Sequence, residues 1–198
     1  LRQFLPPAVQ PIRRDMVVVG RAMPVLEADY FDDVCPGAHN PVSAQPFGLM
    51  LEALDDLRRD EIYVCTGASP RYALWGELMS VRARHCGAAG AILDGYVRDT
   101  RAILEMGFPV FAHGCYAQDQ AVRGKVLDFR IPIEMAGARI EPGDILFGDI
   151  DGVCVTPAKA AEEVFRRAFE KARAEKTVRT ALESGMTARD AFAQFGIL

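Results

Sequence analysis

The stretch WGELMSVRARHCGAAGAILDGYVRDT, Trp75 to Thr100, contains a helix, a buried strand and a charged turn in direct succession. Residues 76–86 are predicted to form a helix that opens at Gly76-Glu77, and residues 88–93 a short buried strand. Arg98 and Asp99 follow that strand. The stretch therefore predicts one strand-helix unit that ends in charged side chains.

Working outward from this stretch, strands and helices alternate along the chain. Strands are predicted at residues 61–66, 88–93 and 109–112, and helices at 47–57, 76–86 and 100–106. Such alternation predicts parallel β-α-β units with right-handed crossovers. After Gly114 the pattern changes to strands and turns at residues 125–133, 144–147 and 153–156. We therefore expect an α/β fold with a parallel β-α-β core, a mainly antiparallel second sheet layer and C-terminal helices.

The two ends of the chain differ from this centre. Residues 1–15 are proline-rich and predict an irregular arm, and residues 16–26 predict a strand in which Gly20 marks a bulge and Pro24 an edge or an end. Residues 27–46 predict a long polar loop. Residues 157–198 predict a helical extension, with Thr156 as the cap and Pro157 in the first turn. A second, shorter helix is predicted after Thr187, whose spacing to Asp190 resembles a capping box. With 198 residues the chain is expected to form one domain.

Composition limits the classes of protein. A net charge of −4 disfavours a general nucleic-acid binder, whose surface must neutralise phosphates. The five cysteines are widely spaced and show no CxxC pair, which favours a reduced, intracellular protein. The apolar runs are far shorter than the roughly 18 residues of a membrane span, and no signal-peptide pattern precedes them. We expect a cytoplasmic protein that does not bind membranes or nucleic acid.

Glu77, Arg98 and Asp99 are the candidate site residues. Glu77 lies in the first turn of its helix, where free backbone N–H groups favour an anion, so a substrate carboxylate can dock on the amides of residues 77–79. Arg98 and Asp99 lie at the carboxyl end of a parallel strand, where ligands of open α/β sheets usually bind. Two carboxylates with water suit a hard ion such as Mg²⁺. In the alternative interpretation, Glu77 only caps a helix and Arg98 pairs with Asp99 or Glu105 on the surface.

The same stretch resembles the family of the regulator of ribonuclease E activity and the 4-hydroxy-4-methyl-2-oxoglutarate aldolases, also labelled dimethylmenaquinone methyltransferase-like. The shared pattern is an acidic residue, twenty residues, then Arg-Asp, which here is Glu77, residues 78–97 and Arg98-Asp99. The later run GDILFGDIDGVCVTP, residues 143–157, is similar to the closing hairpin of the family. The resemblance covers most of residues 16–173 and implies a layered β/β/α fold of the swivelling type.

The resemblance also implies roles for these residues. Asp99 would bind a divalent metal, Mg²⁺ or Mn²⁺, directly, and Glu77 would hold metal-bound water. Arg98 would bind the pyruvyl part of a 2-keto acid, together with the loop amides at Gly76, Glu77, Leu78 and Met79. The characterised aldolases have Asp where this chain has Glu77, so direct contact between Glu77 and the metal is also open. The family implies a homotrimer or hexamer.

Three further groups of residues leave alternatives open. Asp149-Ile-Asp151-Gly152 is slightly similar to a calcium loop, but it lacks the later ligands, and a hairpin turn is favoured. His113 follows a predicted strand and could reach the same crevice, whereas His39 and His85 are more typical of ordinary hydrogen-bonded histidines. Asp119 and Arg123 either line the site or only solvate a polar loop. No lysine lies in the central stretch, which disfavours a Schiff-base aldolase.

The expected function is a metal-dependent lyase that cleaves a carbon-carbon bond of a 4-hydroxy-4-methyl-2-oxoglutarate-like 2-keto acid to give pyruvate. Decarboxylation of oxaloacetate passes through the same pyruvate enolate, so one site can catalyse both reactions. The alternative is a non-catalytic regulator that binds a ribonuclease or another protein partner. An intact set of Glu77, Arg98 and Asp99 favours the enzyme.

Overall fold

A computed structural model describes residues 2–32 and 37–197 of the chain. The strands are β1 (Gln10–Pro11), β2 (Val18–Asp29), β3 (Glu61–Thr66), β4 (Ala73–Trp75), β5 (Gly90–Leu93), β6 (Tyr96–Val97), β7 (Val110–Ala112), β8 (Gly114–Cys115), β9 (Gly124–Phe129), β10 (Ile133–Met135), β11 (Ala138–Ile140), β12 (Ile145–Asp149) and β13 (Gly152–Thr156). The α-helices are α1 (Met50–Asp55), α2 (Glu77–His85), α3 (Thr100–Met106), α4 (Ala161–Glu183) and α5 (Ala188–Phe195). A short 3-10 helix, Pro41–Ala44, lies in the predicted polar loop, and another, Ala158–Ala160, precedes α4.

One large sheet organises the fold. Its strands run in the order β1-β7-β5-β3-β2-β12-β13, and β9 also pairs with β2. The pairs among β2, β3, β5 and β7 are parallel, while β1, β9, β12 and β13 add antiparallel neighbours. A three-stranded parallel sheet, β4-β6-β8, and the hairpin β10-β11 form further sheet layers. The predicted α/β class is confirmed, and the antiparallel strands of the second half extend the main sheet.

The core lies on both faces of this sheet because successive side chains of a strand point to opposite sides. Tyr63 and Cys65 of β3 pack into a cluster that includes apolar residues of α1, α2 and α3. Ile62 and Val64 of the same strand pack into a second cluster with residues of β10, β11 and β13. All six residues of β3 are buried, as expected for a strand covered on both faces.

Pro24 was predicted to mark an edge or an end, and this prediction is wrong. Pro24 lies within β2, where it pairs with Val64 of β3. On its other side, β2 pairs with β12 up to Arg21 and with β9 from Val25 onward. The carbonyl of Pro24 accepts a hydrogen bond from the N–H of Arg130. A proline is tolerated at this position because its missing N–H falls where β2 changes partner.

Two other local predictions need correction. Thr156 and Pro157 do not begin the long helix, since Thr156 is the last residue of β13 and α4 begins only at Ala161, after Ala160 as its cap. The strand pairing of β2 is irregular between Leu26 and Glu27 rather than at Gly20. Within the predicted arm, Gln10–Pro11 pair with β7.

Several local predictions are confirmed. The bounds of β3 and α3 match the predicted residues 61–66 and 100–106. Thr187 caps α5 by accepting a hydrogen bond from the N–H of Asp190 at 3.1 Å. Residues 149–152 form the turn between β12 and β13, in which the N–H of Asp151 donates to the Asp149 carboxylate at 2.9 Å.

The chain divides into two compact units, Leu1–Ala158 and Lys159–Leu198. The second unit contains α4 and α5. The predicted single domain with a helical extension from residue 157 stays a prediction. Among the described residues, none of the helices combines the length and the apolar character that a membrane crossing needs. Cys65, Cys86, Cys115 and Cys154 are free thiols, and Cys35 lies outside the described residues.

Candidate active site

The small sheet β4-β6-β8 positions the candidate residues. Its strands are parallel, with Trp75 of β4 paired to Val97 of β6 and Val97 paired to Cys115 of β8. Carboxyl ends of parallel strands meet at one edge of a sheet. Gly76 and Glu77 follow β4, and Arg98 and Asp99 follow β6. Residues distant in sequence therefore meet at this edge, although on strands that were not predicted.

Asp99 is held directly against the start of α2. Its backbone is left-handed, with φ 57° and ψ 30°, a conformation that aspartate tolerates better than most residues. Its Oδ2 accepts a hydrogen bond from the N–H of Glu77 at 3.2 Å. A Cβ atom at Gly76 would lie 2.8 Å from this Oδ2. A side chain at position 76 would therefore displace the Asp99 carboxylate from its present place.

Arg98 connects two carboxylates. Its NH1 lies 3.2 Å from Oδ2 of Asp99, and its NH2 lies 3.0 Å from Oδ2 of Asp119. The N–H of Arg98 donates to the carbonyl of Trp75 at 2.9 Å, which fixes the backbone to β4. Both partners leave the guanidinium partly exposed. Arg98 thus stands between Asp99 and Asp119 with donors available to a ligand.

Asp119 lines the site, one of the two possibilities that the sequence left open. It follows β8, so the rule that brought Glu77 and Asp99 together applies to it as well. This rule could have selected Asp119 if the two-residue strand β8 had been recognised. Arg123 has a different role, because its NH1 donates to the carbonyls of Asp119 and Ala121 within the loop.

The N-terminus of α2 forms another wall of the site. Gly76 precedes the helix and has no side chain to cap it, so the Asp99 carboxylate accepts from the first helical N–H and leaves those of Leu78 and Met79 for a ligand. The Glu77 and Leu78 side chains are exposed, whereas Met79 is partly buried against the core. Uncapped N–H groups in the first turn of a helix favour a bound anion. The loop amides predicted to dock a carboxylate therefore lie beside the Arg98 guanidinium.

Two carboxylates lie at this edge, and oxygen ligands of this kind suit a hard cation that retains much of its own water. Asp99 supplies an exposed carboxylate, and Glu77 adds an exposed one in the adjacent helical turn. Within residues 2–32 and 37–197, no group of three or more histidine, cysteine, aspartate or glutamate side chains converges on one point. A closed zinc site needs about four such ligands, whereas Mg²⁺ is usually held by one or two carboxylates and several waters.

A pocket of about 440 Å³ opens beside these residues. Gly76, Arg98 and Asp119 line it at the polar end, and Trp75 and Ala73 of β4 also line it. The other lining side chains come mainly from α1 and α2 and are mostly apolar. The volume is suited to a small organic molecule.

Other candidate groups lie outside this pocket. His113, which follows β7, places its Nε2 3.2 Å from Oδ1 of Asp94, and Asp94 also accepts a hydrogen bond from the Thr66 hydroxyl at 2.7 Å. Lys125 is buried, and its ammonium donates to the carbonyls of Ser43 and Gln45 at 2.8 and 2.7 Å. The described pocket lining contains no lysine and no histidine.

Comparison with known proteins identifies the family. Residues 1–155 match the family model described as RraA-like, Aldolase/RraA. The chain therefore belongs to the RraA-like family, as its sequence motif implied. The family description names both an aldolase and RraA.

Three similar proteins illustrate the range of this family. An uncharacterised protein of Methanocaldococcus jannaschii is 25% identical over 88% of this chain and 95% of its own length. A Halalkalibacterium halodurans protein named "Putative 4-hydroxy-4-methyl-2-oxoglutarate aldolase" is 35% identical over 50% of this chain and 47% of its own length. The fold is shared with Streptomyces coelicolor RraAS2, whose crystal structure is described as that of an unusual member of the RNase ES inhibitor RraA protein family. The TM-score is 0.76 at 21% identity, and the match covers 90% of this chain and 85% of that chain.

Proposed function

We propose that this protein is a divalent-metal-dependent lyase that cleaves a carbon-carbon bond of a 2-keto acid to release pyruvate. One observation carries the proposal: Arg98, Asp99 and the N–H of Glu77 converge at the carboxyl ends of β4 and β6, with 3.2 Å between Asp99 Oδ2 and the Glu77 nitrogen. The relatives named as 4-hydroxy-4-methyl-2-oxoglutarate aldolases support this class of reaction. The matched part of the chain spans only about half of each of these relatives.

Binding and orientation of the acid are assigned to Arg98 and α2. The planar guanidinium can hold a carboxylate through two N–H donors, while Asp119 fixes its direction from the other side. The N–H groups of Leu78 and Met79 face the same anion at the helix N-terminus. Gly76 keeps this wall close to Asp99, so that the pyruvyl part of the substrate is held in a single orientation.

Asp99 would hold the divalent ion, Mg²⁺ or Mn²⁺, with Glu77 assisting through water, and the ion would supply a Lewis acid for the keto oxygen. The bond between C3 and C4 breaks, and its electron pair passes to the pyruvyl part as an enolate. The hydroxyl at C4 loses its proton and becomes the carbonyl of the second product. We assign that proton to the Glu77 carboxylate, which is exposed beside the pocket and can return it to C3 of the enolate.

Pyruvate release tests the proposal. Purified protein with Mg²⁺ or Mn²⁺ should release pyruvate from oxaloacetate or 4-hydroxy-4-methyl-2-oxoglutarate above the rate of the metal alone, and a chelator should abolish the difference. Asp99→Asn should lower kcat/KM by about a hundredfold or more. Asp128→Asn, at an exposed aspartate of β9, is the matched control and should leave the rate unchanged.

Two results would contradict the lyase. One is the absence of pyruvate from both substrates, and the other is turnover that neither the chelator nor Asp99→Asn affects. Absence of pyruvate from both substrates would favour a regulator that acts by binding a protein. Turnover that neither the chelator nor Asp99→Asn affects would instead indicate catalysis that depends on neither a metal nor this carboxylate. The expected homotrimer or hexamer stays a prediction, and light scattering on the same preparation measures it.

A further inference from the structure

We infer that the apolar part of the pocket selects 2-keto acids with an uncharged, apolar group beyond C4, and that Gln120 binds an oxygen on C4. This inference rests on the proposed function, because Arg98 and Asp99 are assigned to the pyruvyl end of the same ligand. The inference adds the chemical class of the other end of the ligand, the group beyond C4. By contrast, the compound in the name of the aldolase relatives, 4-hydroxy-4-methyl-2-oxoglutarate, is a dicarboxylate and carries a second negative charge.

The shape and lining of the pocket supply the first argument. Beyond Gly76 and Arg98 the pocket runs between two helices, α1 and α2. The apolar side chains along this part are Phe47, Met50, Leu51, Leu54, Leu78 and Met79. Transfer of one methylene group from water to such surroundings is favourable by about 0.8 kcal/mol, or about fourfold in affinity. A short alkyl or aryl group would therefore be stabilised here.

The charges of the pocket supply the second argument. Among its described lining residues the cations are Arg82 and Arg98. The Arg82 guanidinium is 2.7 Å from Asp55, itself a lining residue, and Arg98 is paired with Asp99 and Asp119. A second carboxylate in the ligand would meet Asp55 beside an Arg82 that is already paired, at side chains that are 70% and 41% exposed. Since an exposed and already paired guanidinium adds little binding energy, a second carboxylate would gain little there.

Gln120 supplies the third argument. Its side chain lines the pocket and is only 5% exposed, and its Nε2 has no hydrogen-bond partner. Most buried polar atoms in folded proteins are paired, so an unpaired amide donor in a binding pocket indicates an acceptor atom of the ligand. Gln120 is next to Asp119, the partner of Arg98, which places it near the pyruvyl end. The oxygen on C4 is the acceptor nearest to that end in a 4-hydroxy-2-keto acid.

Ligands that cannot be cleaved separate this inference from catalysis. Isothermal titration in the presence of Mg²⁺ should compare pyruvate, 2-oxohexanoate and 2-oxoglutarate. We expect 2-oxohexanoate to bind at least tenfold more tightly than pyruvate, and 2-oxoglutarate no more tightly than pyruvate. Leu51→Ser, at a half-exposed position on the wall, should remove most of the gain for 2-oxohexanoate, and Leu51→Met should retain it.

The role of Gln120 is tested with 2,4-dioxohexanoate, which adds an acceptor oxygen at C4. The wild type should bind it about five- to tenfold more tightly than 2-oxohexanoate. Gln120→Leu should abolish this difference without weakening 2-oxohexanoate, while Gln194→Leu, at an exposed glutamine of α5, should preserve it. An equal loss of affinity for both ligands in Gln120→Leu would overturn the proposed hydrogen bond from the Gln120 amide to the C4 oxygen.

The outcomes also separate the inference from the proposed function. Tighter binding of 2-oxoglutarate than of 2-oxohexanoate, or equal binding of all three acids, would overturn the apolar specificity even if oxaloacetate is decarboxylated. Tight binding of 2-oxohexanoate without pyruvate release from any substrate would support the ligand class and contradict the lyase.

Discussion

Gly76 shows how a single residue can determine the site. Its backbone angles, φ −150° and ψ −174°, are open to any amino acid, so its conformation alone does not require glycine. The constraint concerns the position of Asp99, whose carboxylate occupies the space that a Cβ would need. The sequence pattern predicted that Glu77 and Asp99 meet, and it contained no signal for the contact at Gly76.

Gly76→Ala tests this contact. The added methyl group would displace the Asp99 carboxylate, and we expect kcat/KM to fall about 10- to 100-fold because a shift of about 1 Å in a reacting group has an effect of this size. The melting temperature should change little, since the carboxylate is partly exposed and can move. Unchanged turnover with a folded protein would contradict the proposed role of the contact.

At the scale of elements, some segments of six or seven residues were predictable, and those of two or three residues were not. The strand β3 and the helix α3 have clear apolar patterns with turn residues at their ends, and their bounds were predicted correctly. The strands β4, β6 and β8 have only two or three residues, too few for a periodic pattern. Because these strands carry the site, the contribution of Asp119 after β8 could not be derived from periodicity.

The connection between β4 and α2 gives a prediction at this scale. Ser80 of α2 is fully buried, and its hydroxyl accepts a hydrogen bond from Nε1 of Trp75 at 2.6 Å and donates to the carbonyl of Gly76 at 3.1 Å. Ser80→Ala would leave the buried indole N–H without a partner. We expect the free energy of unfolding to fall by about 1–3 kcal/mol, measured by urea denaturation.

Ser184→Ala is the matched control for Ser80→Ala. Ser184 is exposed, and its hydroxyl donates to the carbonyl of Thr180. Its replacement should change the free energy of unfolding by no more than about 0.5 kcal/mol. Equal effects of the two substitutions would show that the hydrogen bond to Trp75 contributes little.

For the whole molecule, the alternation of strands and helices was sufficient to predict the α/β class. The arrangement of the later strands was harder to predict, because β9 and β12 pair antiparallel with β2 and β13 pairs with β12, so that all three join the parallel sheet. One strand of twelve residues pairs with different neighbours along its length. Pro24 lies between the part of β2 that pairs with β12 and the part that pairs with β9, which explains how a proline fits inside a central strand.

Glu27 makes the stability of the molecule depend on pH. The residue is 2% exposed and lies near Tyr72 and Cys65, and burial raises the pKa of its carboxyl from the ordinary 4.5 to about 8. The folded state therefore keeps a proton that the unfolded state releases. Stability from this group is fully present below about pH 4.5 and is lost as pH rises towards 8.

Glu27→Gln should remove that part of the dependence. Between pH 5 and 8 the free energy of unfolding of the wild type should fall by on the order of 3 kcal/mol relative to that of the variant. The variant should therefore be the more stable protein at pH 8. Chemical denaturation at several pH values measures this difference, and the comparison cancels the opposite contribution of Asp29, whose pKa is lowered. Parallel stability curves for the two proteins would refute the assignment.

Trp75 is the single tryptophan of the chain, and it lines the pocket from β4. It is 1% exposed and stacks on Phe108 with 6.2 Å between ring centroids. Its fluorescence should therefore be that of a shielded indole. Fluorescence excited at the red edge of protein absorption comes from this side chain, which lines the same pocket as Arg98 and Gln120. The protein thus contains an intrinsic optical probe of its own pocket, and ligand occupancy can be followed in real time without any label.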